Sequence, residues 1–332
     1  MIVQRINSLR GMAMARTLLG QIRTRINTRK LTEIAPVPPL IFLESSSMCN
    51  VGCAKCANKS STRPQGIMKI DLAFDLLNRA AEMGIPSVCL SMLGEPLLNP
   101  YLERVVERAR KLGMYVYIVT NATILTPERS RSLIGAGINR VTVSIDGWDQ
   151  TSYGERHGGT NINLILDNLR SFNDIRSKCP NPPILSSNTV LDTESIKHLR
   201  KIKKLLSSYV DICLLNPLTD FGIPNQRINT SLLPGTRSWK RIPCWYFWYN
   251  INIGWDGQVT ACCNDHNYLL VYHHVNKASL EEIWQSEGIR KFRRIHLDGE
   301  FHRMPMCGSC TRDWCNSLSF QRIKHKFDRI SS

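Results

Sequence analysis

The sequence has no long hydrophobic run, and none of its segments approaches the roughly 20 uninterrupted apolar residues of a membrane-spanning helix. It also lacks internal repeats and low-complexity tracts, which excludes a solenoid or a largely disordered chain. Acidic residues are scarce: 27 Asp and Glu against 43 Lys and Arg leave a formal charge of +16. Such a surface attracts phosphates, anionic lipids or acidic proteins. The 332 residues, 42% of them hydrophobic, suffice for one large core or two small ones.

Residues 1–30 contain no acidic side chain, and their apolar side chains recur at near-helical spacing. This pattern predicts a basic amphipathic helix. Arg10 and Arg16 interrupt any apolar core of a secretory signal, so we expect a cytoplasmic protein. A helix packed on the domain, an organellar transit peptide and a helix in peripheral contact with a membrane surface all fit the segment.

From residue 37 onward, short apolar runs alternate with amphipathic segments that carry helix caps, a pattern typical of repeated βα units and a parallel sheet. Six strands are predicted, at 40–44, 87–92, 114–120, 140–145, 183–190 and 209–215. Six units predict an α/β fold with a partial TIM-like (βα)6 barrel over residues 37–215. Chemistry in such a fold lies at the carboxyl ends of the strands.

After residue 215 the composition changes, which predicts a linker at 216–240 and a small second domain at 241–318. A hairpin is expected at 250–261 around Asp256-Gly257, because Gly favours the positive φ angles of a tight turn. Ser279 and Glu282 form a capping box that starts a helix. The basic N-terminal extension at 1–36 and a basic tail at 319–332 complete the predicted organisation.

Three cysteines follow the first strand in a C-x3-C-x2-C pattern: Cys49, Cys53 and Cys56. Three thiolates on one short loop can hold three irons of a [4Fe–4S] cube and leave the fourth iron open to another ligand. A structural zinc site would need a fourth ligand nearby, and none is obvious in this loop. The spacing alone does not exclude a chance cluster.

The motifs that follow the cysteines occur in the order found in one family. They are Gly94-Glu95-Pro96 after the second strand, Thr120-Asn121 at the end of the third, Ser144 and Asp146 at the fourth, and Arg156 beyond it. With the cysteine loop, these motifs resemble the radical S-adenosylmethionine (SAM) superfamily over residues 40–310. Ala122 departs from the family's T-N-G motif, which puts the backbone role of that third residue in doubt.

The resemblance implies that SAM binds the open iron of the Cys49, Cys53 and Cys56 cluster and is cleaved reductively to a 5′-deoxyadenosyl radical. It implies that Gly94, Glu95 and Pro96 receive the methionine amino group, in keeping with the charge-assisted hydrogen bond that a glutamate can accept. Thr120 and Asn121 match a further SAM-binding motif, and Ser144 and Asp146 match the motif near the SAM ribose. Arg156 resembles an arginine directed at the SAM carboxylate, although among 43 basic residues it could equally be a surface side chain.

A second set of cysteines follows the predicted barrel, with the pattern C-x17-C-x44-C-x2-C for Cys244, Cys262, Cys307 and Cys310. With Gly257, this set resembles the twitch domain, a shorter relative of the SPASM domain, and implies one auxiliary [4Fe–4S] cluster. Cys315 alone does not supply the ligands of a second cluster. A four-cysteine zinc site is the alternative interpretation of this spacing.

A substrate radical can be oxidised to a dehydrogenated product, or it can receive a hydrogen atom from a thiol and give an inverted stereocentre. Cys263 adjoins a predicted ligand, and strand alternation would turn its side chain away from the cluster. Cys213 lies on the sixth strand and could face the barrel interior. We therefore name Cys263 and Cys213 as candidate hydrogen donors, although most unpaired cysteines are small buried hydrophobic residues.

The leading functional hypothesis is a radical SAM enzyme that epimerises or dehydrogenates a small polar molecule, such as a sugar, an aminocyclitol or another natural-product precursor. About 39 residues precede the first strand, which favours a small molecule over a leader peptide. A peptide-modifying radical SAM enzyme is the second hypothesis, and a zinc-stabilised nucleic-acid-binding protein is the third, motivated by the charge. The basic surface suggests an acidic flavodoxin or ferredoxin-type protein as electron donor.

Overall fold

The protein was analysed as a computed structural model, which describes residues 31–218 and 243–310. The predicted basic helix of residues 1–30, most of the 216–240 linker, Cys315 and the tail at 319–332 lie outside the described residues.

Six parallel strands form the first part of the sheet, in the order β6-β5-β4-β3-β2-β1. They are β1 (Leu40–Leu43), β2 (Ser87–Cys89), β3 (Tyr115–Thr120), β4 (Arg140–Ser144), β5 (Ile184–Leu191) and β6 (Ile212–Pro217). The helices between and after them are α1 (Ile70–Glu82), α2 (Leu102–Lys111), α3 (Pro127–Gly135), α4 (Gln150–Arg156), α5 (Ile162–Arg176), α6 (Thr193–Lys197) and α7 (Leu199–Leu206). The predicted α/β fold is confirmed.

Strand β2 ends earlier than the sequence predicts, at Cys89 instead of residue 92. The backbone N–H of Val119 donates to the hydroxyl of Ser91 at 2.9 Å, so a side chain takes the place of the next backbone partner. The loop that follows β2 is thereby released from the sheet at the carboxyl edge, where the chemistry is expected.

The two faces of the sheet differ in composition. Val116, Ile118, Val141 and Leu185 point to the helices and belong to one continuous buried core. The opposite side, which we call the inner face, is turned away from the helices and carries the alternate residues of each strand. On β3 this alternation is complete, because every second residue is only half-buried. The inner face is therefore the partly open side of the sheet.

The C-terminal region extends the same sheet. Strand β7 (Asn250–Ile253) pairs in parallel with β1, and β8 (Gln258–Thr260) and β9 (Val271–His274) continue it in antiparallel fashion. The predicted hairpin is confirmed, with Gly257 at a φ of +89° in its turn. In the described part of the chain, the second unit does not form a separate layer, since the nine strands there make one sheet.

Three helices complete the C-terminal region: α8 (Tyr246–Tyr249), α9 (Leu280–Trp284) and α10 (Glu287–Leu297). The capping box of Ser279 and Glu282 begins α9 as predicted. Residues 31–36, at the end of the predicted N-terminal extension, pack on these helices. Trp284 Nε1 donates to the carbonyl of Pro36 at 2.7 Å, and the guanidinium of Arg293 donates to that of Glu33 at 3.0 Å.

Within the described residues, no helix is both long and apolar enough to span a membrane.

Candidate functional site

The first cysteine loop lies at the carboxyl end of β1. Cys49 is exposed, whereas Cys53 and Cys56 are half-buried. Burial, together with the neighbouring thiols of Cys56 and Cys49, raises the pKa of the Cys53 thiol to about 12. The three sulfurs are thus close enough to influence one another. The structure brings together all three residues that the sequence names.

The three thiols of this loop could bind either a single metal ion or an iron–sulfur cube, and these two sites need different arrangements of ligands. Among the described residues, no group of three or more Cys, His, Asp and Glu side chains is arranged to bind one ion. A cube assigns each thiolate to a different iron, so its ligands need not converge on a single point. The three thiols therefore fit a cluster with one open iron better than they fit a closed zinc site.

The cysteine loop is anchored by the end of α4. The backbone N–H of Ala54 donates to the carbonyl of Arg156 at 3.0 Å. The guanidinium of Arg156 donates two hydrogen bonds to Asp192, at 2.7 and 3.1 Å, and Lys55 from the loop reaches the same carboxylate at 2.7 Å. Burial would raise the pKa of Asp192, but Arg156 and Lys55 hold it well below its usual range. Arg156 is therefore bonded within the protein, and its predicted contact with the SAM carboxylate stays a prediction.

Gly94 brings the loop after β2 against the loop after β1. A Cβ atom at Gly94 would lie 2.2 Å from the carbonyl oxygen of Ser46, so only glycine fits this approach. The backbone N–H of Glu95 then donates to the carbonyl of Met48 at 2.8 Å, one residue before Cys49. The Gly94-Glu95-Pro96 segment thus supports the cysteine loop directly.

The carboxylate of Glu95 is buried and accepts hydrogen bonds from three donors within the protein. These are the Thr120 hydroxyl at 2.6 Å, the Asn121 backbone N–H at 2.8 Å and the Leu97 backbone N–H at 3.1 Å. Burial raises the pKa of Glu95, and these hydrogen bonds oppose that rise. The side chain joins the ends of β2 and β3. Its predicted interaction with the SAM amino group would have to share this carboxylate.

Asn121 and Ala122 shape the neighbouring turn. The amide of Asn121 donates to the side chain of Asn50 at 3.0 Å and lies 3.8 Å from the sulfur of Cys49. Ala122 has a φ of +59°, in the left-handed region that favours glycine. Ala122 therefore adopts a backbone conformation that glycine would reach with less strain.

Asp146 lies just beyond β4, whereas Ser144 is its last residue. The Oδ1 atom of Asp146 accepts the backbone N–H of Val190 at 2.6 Å, and its Oδ2 atom lies 3.2 Å from Nε2 of His157. The other ring nitrogen of His157 lies 3.4 Å from the sulfur of Cys53. Sequence reasoning missed His157, because nothing in its spacing relates it to a cysteine about 100 residues earlier.

The second cysteine set is carried by separate elements. Cys244 precedes α8, Cys262 follows β8, and Cys307 and Cys310 follow a 3-10 turn at Phe301–Arg303. Cys244, Cys262 and Cys307 all pack on the main hydrophobic core. The backbone N–H of Cys244 donates to Nδ1 of His296 at 3.1 Å. Three of the four thiols, which are far apart in sequence, thus pack on the same core.

The proposed position of Cys263 is corrected by the structure. Strand β8 ends at Thr260, so strand alternation does not apply to residues 262 and 263. The two thiols form a hydrogen bond, which is the largest cause of the raised pKa of Cys262, ahead of burial. Cys263 is buried beside the predicted ligand instead of pointing away from it.

The assignment of Cys213 to the barrel interior is wrong. Its register partner on β5 is Ser187, and both lie on the helix side of the sheet. Cys213 packs against Leu191 at the end of β5 and Leu199 of α7. A thiol in this position is separated from the inner face by the sheet itself.

The inner face combines aromatic and polar side chains. Near β1 and β2, Cys89 and Tyr249 are buried together with Tyr117 and Trp245 packed against them. On β4 and β5, Nε of Arg140 donates to the hydroxyl of Ser186 at 2.9 Å, and Thr142 and Ser186 are hydrogen-bonded at 2.9 Å. This side of the sheet therefore carries a polar row on β4 and β5 beside an aromatic group near β1 and β2.

Family comparisons agree with this arrangement. The sequence profile of the radical SAM superfamily matches residues 43–206, and the profile of the SPASM iron–sulfur cluster-binding domain matches residues 244–311. The chain belongs to the radical SAM superfamily. Its C-terminal region is a SPASM domain, so it carries a SAM-binding [4Fe–4S] site and auxiliary iron–sulfur ligation. The zinc-stabilised nucleic-acid-binding alternative is set aside.

Two relatives of this radical SAM protein are about one quarter identical to it over the aligned residues. It is 26% identical to the AdoMet-dependent heme synthase of Methanosarcina barkeri, over 79% of this chain and 72% of that protein. It is 24% identical to the tungsten-containing aldehyde ferredoxin oxidoreductase cofactor-modifying protein of Pyrococcus furiosus, over 83% of this chain and 88% of that protein.

Solved structures share its fold at lower identity. BtrN in complex with AdoMet and 2-DOIA has a TM-score of 0.59 at 18% identity, covering 86% of this chain and 95% of BtrN. The anSMEcpe structure with bound AdoMet has a TM-score of 0.65 at 16% identity, covering 88% of this chain and 96% of anSMEcpe. The relatives differ in what they act on, so they do not fix the substrate.

Proposed function

We propose that this radical SAM enzyme dehydrogenates a small polar substrate bound on the inner face of the sheet. The observation that carries the proposal is the combination of a polar inner face with the absence of an exposed thiol there among the described residues. Epimerisation of the same class of substrate is the second candidate. A peptide is the alternative substrate class, and the product analysis below would detect it.

Two sets of residues would hold the cofactors. Cys49, Cys53 and Cys56 would hold the cluster that binds SAM, and Cys244, Cys262, Cys307 and Cys310 would hold one auxiliary [4Fe–4S] cluster. When bound, the first cluster and SAM would supply a 5′-deoxyadenosyl radical that takes one hydrogen atom from the substrate, and the auxiliary cluster would accept the remaining electron while a base takes the proton. Gly94, Asn121 and Arg156 keep the first loop in place through the contacts described above.

The inner face supplies groups that bind and orient a polar molecule. Arg140, Thr142 and Ser186 form a hydrogen-bonded row on two adjacent strands, and Arg140 remains half-buried. Hydroxyl and guanidinium groups suit a substrate rich in hydroxyl, amino or anionic groups. BtrN, which shares the fold, was solved with 2-DOIA and AdoMet, and this supports a small molecule.

Dehydrogenation is favoured by the positions of the thiols. Cys213 lies on the helix side, and Cys263 is buried against Cys262. Cys89 lies on the inner face but has no exposed surface, and its thiol donates to the carbonyl of Ser91. An epimerase needs a thiol or similar group that can return a hydrogen atom to the substrate. Cys89 is the residue to test for that role if the product proves to be an epimer.

Iron content and SAM cleavage test the proposal. Anaerobically purified protein is expected to contain about eight irons, four for each cube. With a chemical reductant it should convert SAM to methionine and 5′-deoxyadenosine. The triple change of Cys49, Cys53 and Cys56 to alanine should abolish cleavage and leave about four irons. Cleavage at the wild-type rate in that variant would refute the assignment.

Product analysis separates the two reactions and the substrate classes. Aminocyclitols, sugars and synthetic peptides would be compared as stimulators of 5′-deoxyadenosine formation. A dehydrogenase gives a product two mass units lighter than its substrate. An epimerase that uses a thiol gives a product that gains one deuterium in D2O, because thiol protons exchange with solvent. Stimulation by peptides alone would overturn the small-molecule proposal.

The electron donor is proposed to be an acidic flavodoxin or ferredoxin-type protein. Lys55 and Lys59 lie within and just after the cysteine loop and are exposed. Opposite charges would steer such a protein toward the first cluster, and this attraction weakens as salt rises. The rate of reduction by the donor should therefore fall with ionic strength, whereas reduction by a small chemical reductant should not.

A further inference from the structure

His157 lies between a predicted cluster ligand and a predicted SAM contact. Its Nδ1 atom is 3.4 Å from the sulfur of Cys53, and its Nε2 atom is 3.2 Å from Oδ2 of Asp146. The residue is 2% exposed, so both nitrogens are shielded from solvent. The imidazole therefore connects the cysteine loop to the end of β4.

Several contacts fix the orientation of this ring. It stacks on Tyr153 with ring centroids 4.3 Å apart and an interplanar angle of 16°. The next residue, Gly158, has a φ of +58°, and a Cβ atom there would lie 2.9 Å from the carbonyl of Gly52 in the cysteine loop. Backbone packing and side-chain packing thus both place His157 against the loop.

A cysteine that binds iron is a thiolate and can only accept a hydrogen bond. The ring nitrogen that faces Cys53 must then carry a hydrogen and donate a hydrogen bond to the sulfur. A hydrogen bond to a ligand sulfur withdraws negative charge from the cluster, which stabilises the reduced form relative to the oxidised form. Outer partners of this kind are a general means by which proteins adjust the potential of an iron–sulfur cluster.

We propose that His157 donates an Nδ1–H hydrogen bond to the sulfur of Cys53 and thereby raises the reduction potential of the SAM-binding cluster. The stack on Tyr153 and the close packing of Gly158 on the cysteine loop hold the ring in the orientation that this bond requires. The inference rests on the proposed function, in which Cys53 is a ligand of that cluster. His157 acts through Cys53 and is a positioning residue.

Three variants separate the hydrogen bond from packing. His157→Phe keeps a planar ring for the stack with Tyr153 and removes both nitrogens. His157→Asn places an amide N–H donor near the position of Nδ1. Tyr153→Phe is the matched control, because the ring remains and the buried hydroxyl has no hydrogen-bond partner among the described residues. All three would be purified anaerobically and assayed for iron.

The measurement is an anaerobic redox titration followed by electron paramagnetic resonance. The signal that changes when SAM is added belongs to the cluster with the open iron, which separates it from auxiliary clusters. In His157→Phe we expect a more negative midpoint. At the wild-type midpoint, the ratio of reduced to oxidised cluster should fall about tenfold, equal to about 59 mV for a one-electron couple. His157→Asn and Tyr153→Phe should titrate close to wild type.

Two results would overturn the inference. One is an unchanged midpoint in His157→Phe. The other is loss of the SAM-responsive cluster in both His157 variants while Tyr153→Phe retains it, which would assign His157 to assembly of the site. A variant that contains less than the full amount of cluster can still be titrated, because the midpoint potential does not depend on the amount of cluster. Absence of a SAM-responsive signal in the wild-type protein would instead refute the proposed function.

Discussion

At the residue scale, Glu95 shows how one buried carboxylate holds the site together. Three donors from the ends of β2 and β3 converge on it. Glu95→Gln replaces one accepting oxygen with an NH2 group that faces an N–H or O–H donor. We expect the free energy of unfolding to fall by about 1–3 kcal/mol, the cost of leaving buried hydrogen-bonding groups without partners. Anaerobic denaturant unfolding measures this change.

Glu107→Gln is the matched control, since Glu107 is exposed on α2 and forms an ion pair with Lys111 on the same helix. Its effect should stay within about 0.5 kcal/mol of wild type. SAM affinity would be measured on the same proteins. Weaker SAM binding without any loss of stability in Glu95→Gln would show that Glu95 serves the ligand and not the fold.

Other residues of the site differ in how far the sequence predicts them. Cys49, Cys53, Cys56 and Gly94 follow from spacing and order along the chain, and the structure brings them together at one edge. The partners of a polar side chain do not follow from spacing. Arg156 bonds to Asp192, 36 residues further along, and His157 meets Cys53 across 104 residues. Such pairs depend on how loops of different βα units pack.

At the element scale, α4 and α6 carry the anchors of the cysteine loop. Asp192 begins α6 as its N-cap and receives both Arg156 and Lys55. We expect Asp192→Asn to loosen the loop, so that iron is lost several times faster from the SAM-binding cluster during anaerobic dilution with a chelator. Iron release and the SAM-responsive signal are the measurements.

The effect of Asp192→Asn should be the same from pH 6 to pH 8. The pKa of Asp192 is depressed in the folded state, so its contribution is complete above the usual value of about 3.9 and is lost only below it. Glu194→Gln, on the exposed side of the same helix, provides the control. A strong pH dependence in the neutral range would show that another group holds the loop.

The strands illustrate which element-scale features periodicity can predict. All six βα strands and the caps at Thr126 and Ser279 follow from local patterns, because they depend on neighbouring residues. Which side of the sheet a residue occupies depends on register. Cys213 shares the register of Ser187, and this places it against helices. The pairing of β7 with β1 joins residues about 210 positions apart and has no local signature.

At the scale of the whole molecule, the segment after the first cysteine loop is joined to the segment after Cys262. The hydroxyl of Ser61 donates to the carbonyl of His266 at 2.6 Å, and the backbone N–H of Thr62 donates to the side chain of Asn267 at 2.8 Å. Arg63 stacks over Tyr268 at 4.2 Å. These contacts tie the two cysteine-bearing halves of the protein into one body.

The central contact of this junction is a buried ion pair. Arg63 lies 2.5 Å from Glu44, and their side chains are 3% and 0% exposed. Arg63→Met leaves the carboxylate of Glu44 buried without its cation, which is expected to lower the free energy of unfolding by about 3–5 kcal/mol. Since Arg63 belongs to one half and Tyr268 to the other, both sets of iron should become easier to remove.

A double-mutant cycle tests whether the pair itself is responsible. Adding Glu44→Met to Arg63→Met removes the stranded charge, so the double variant should be more stable than Arg63→Met alone, because buried ion pairs can often be replaced by apolar side chains of similar volume. Unfolding free energies of the four proteins give the coupling energy. Strictly additive losses would contradict this account, and the junction would then depend on the hydrogen bonds of Ser61 and Thr62.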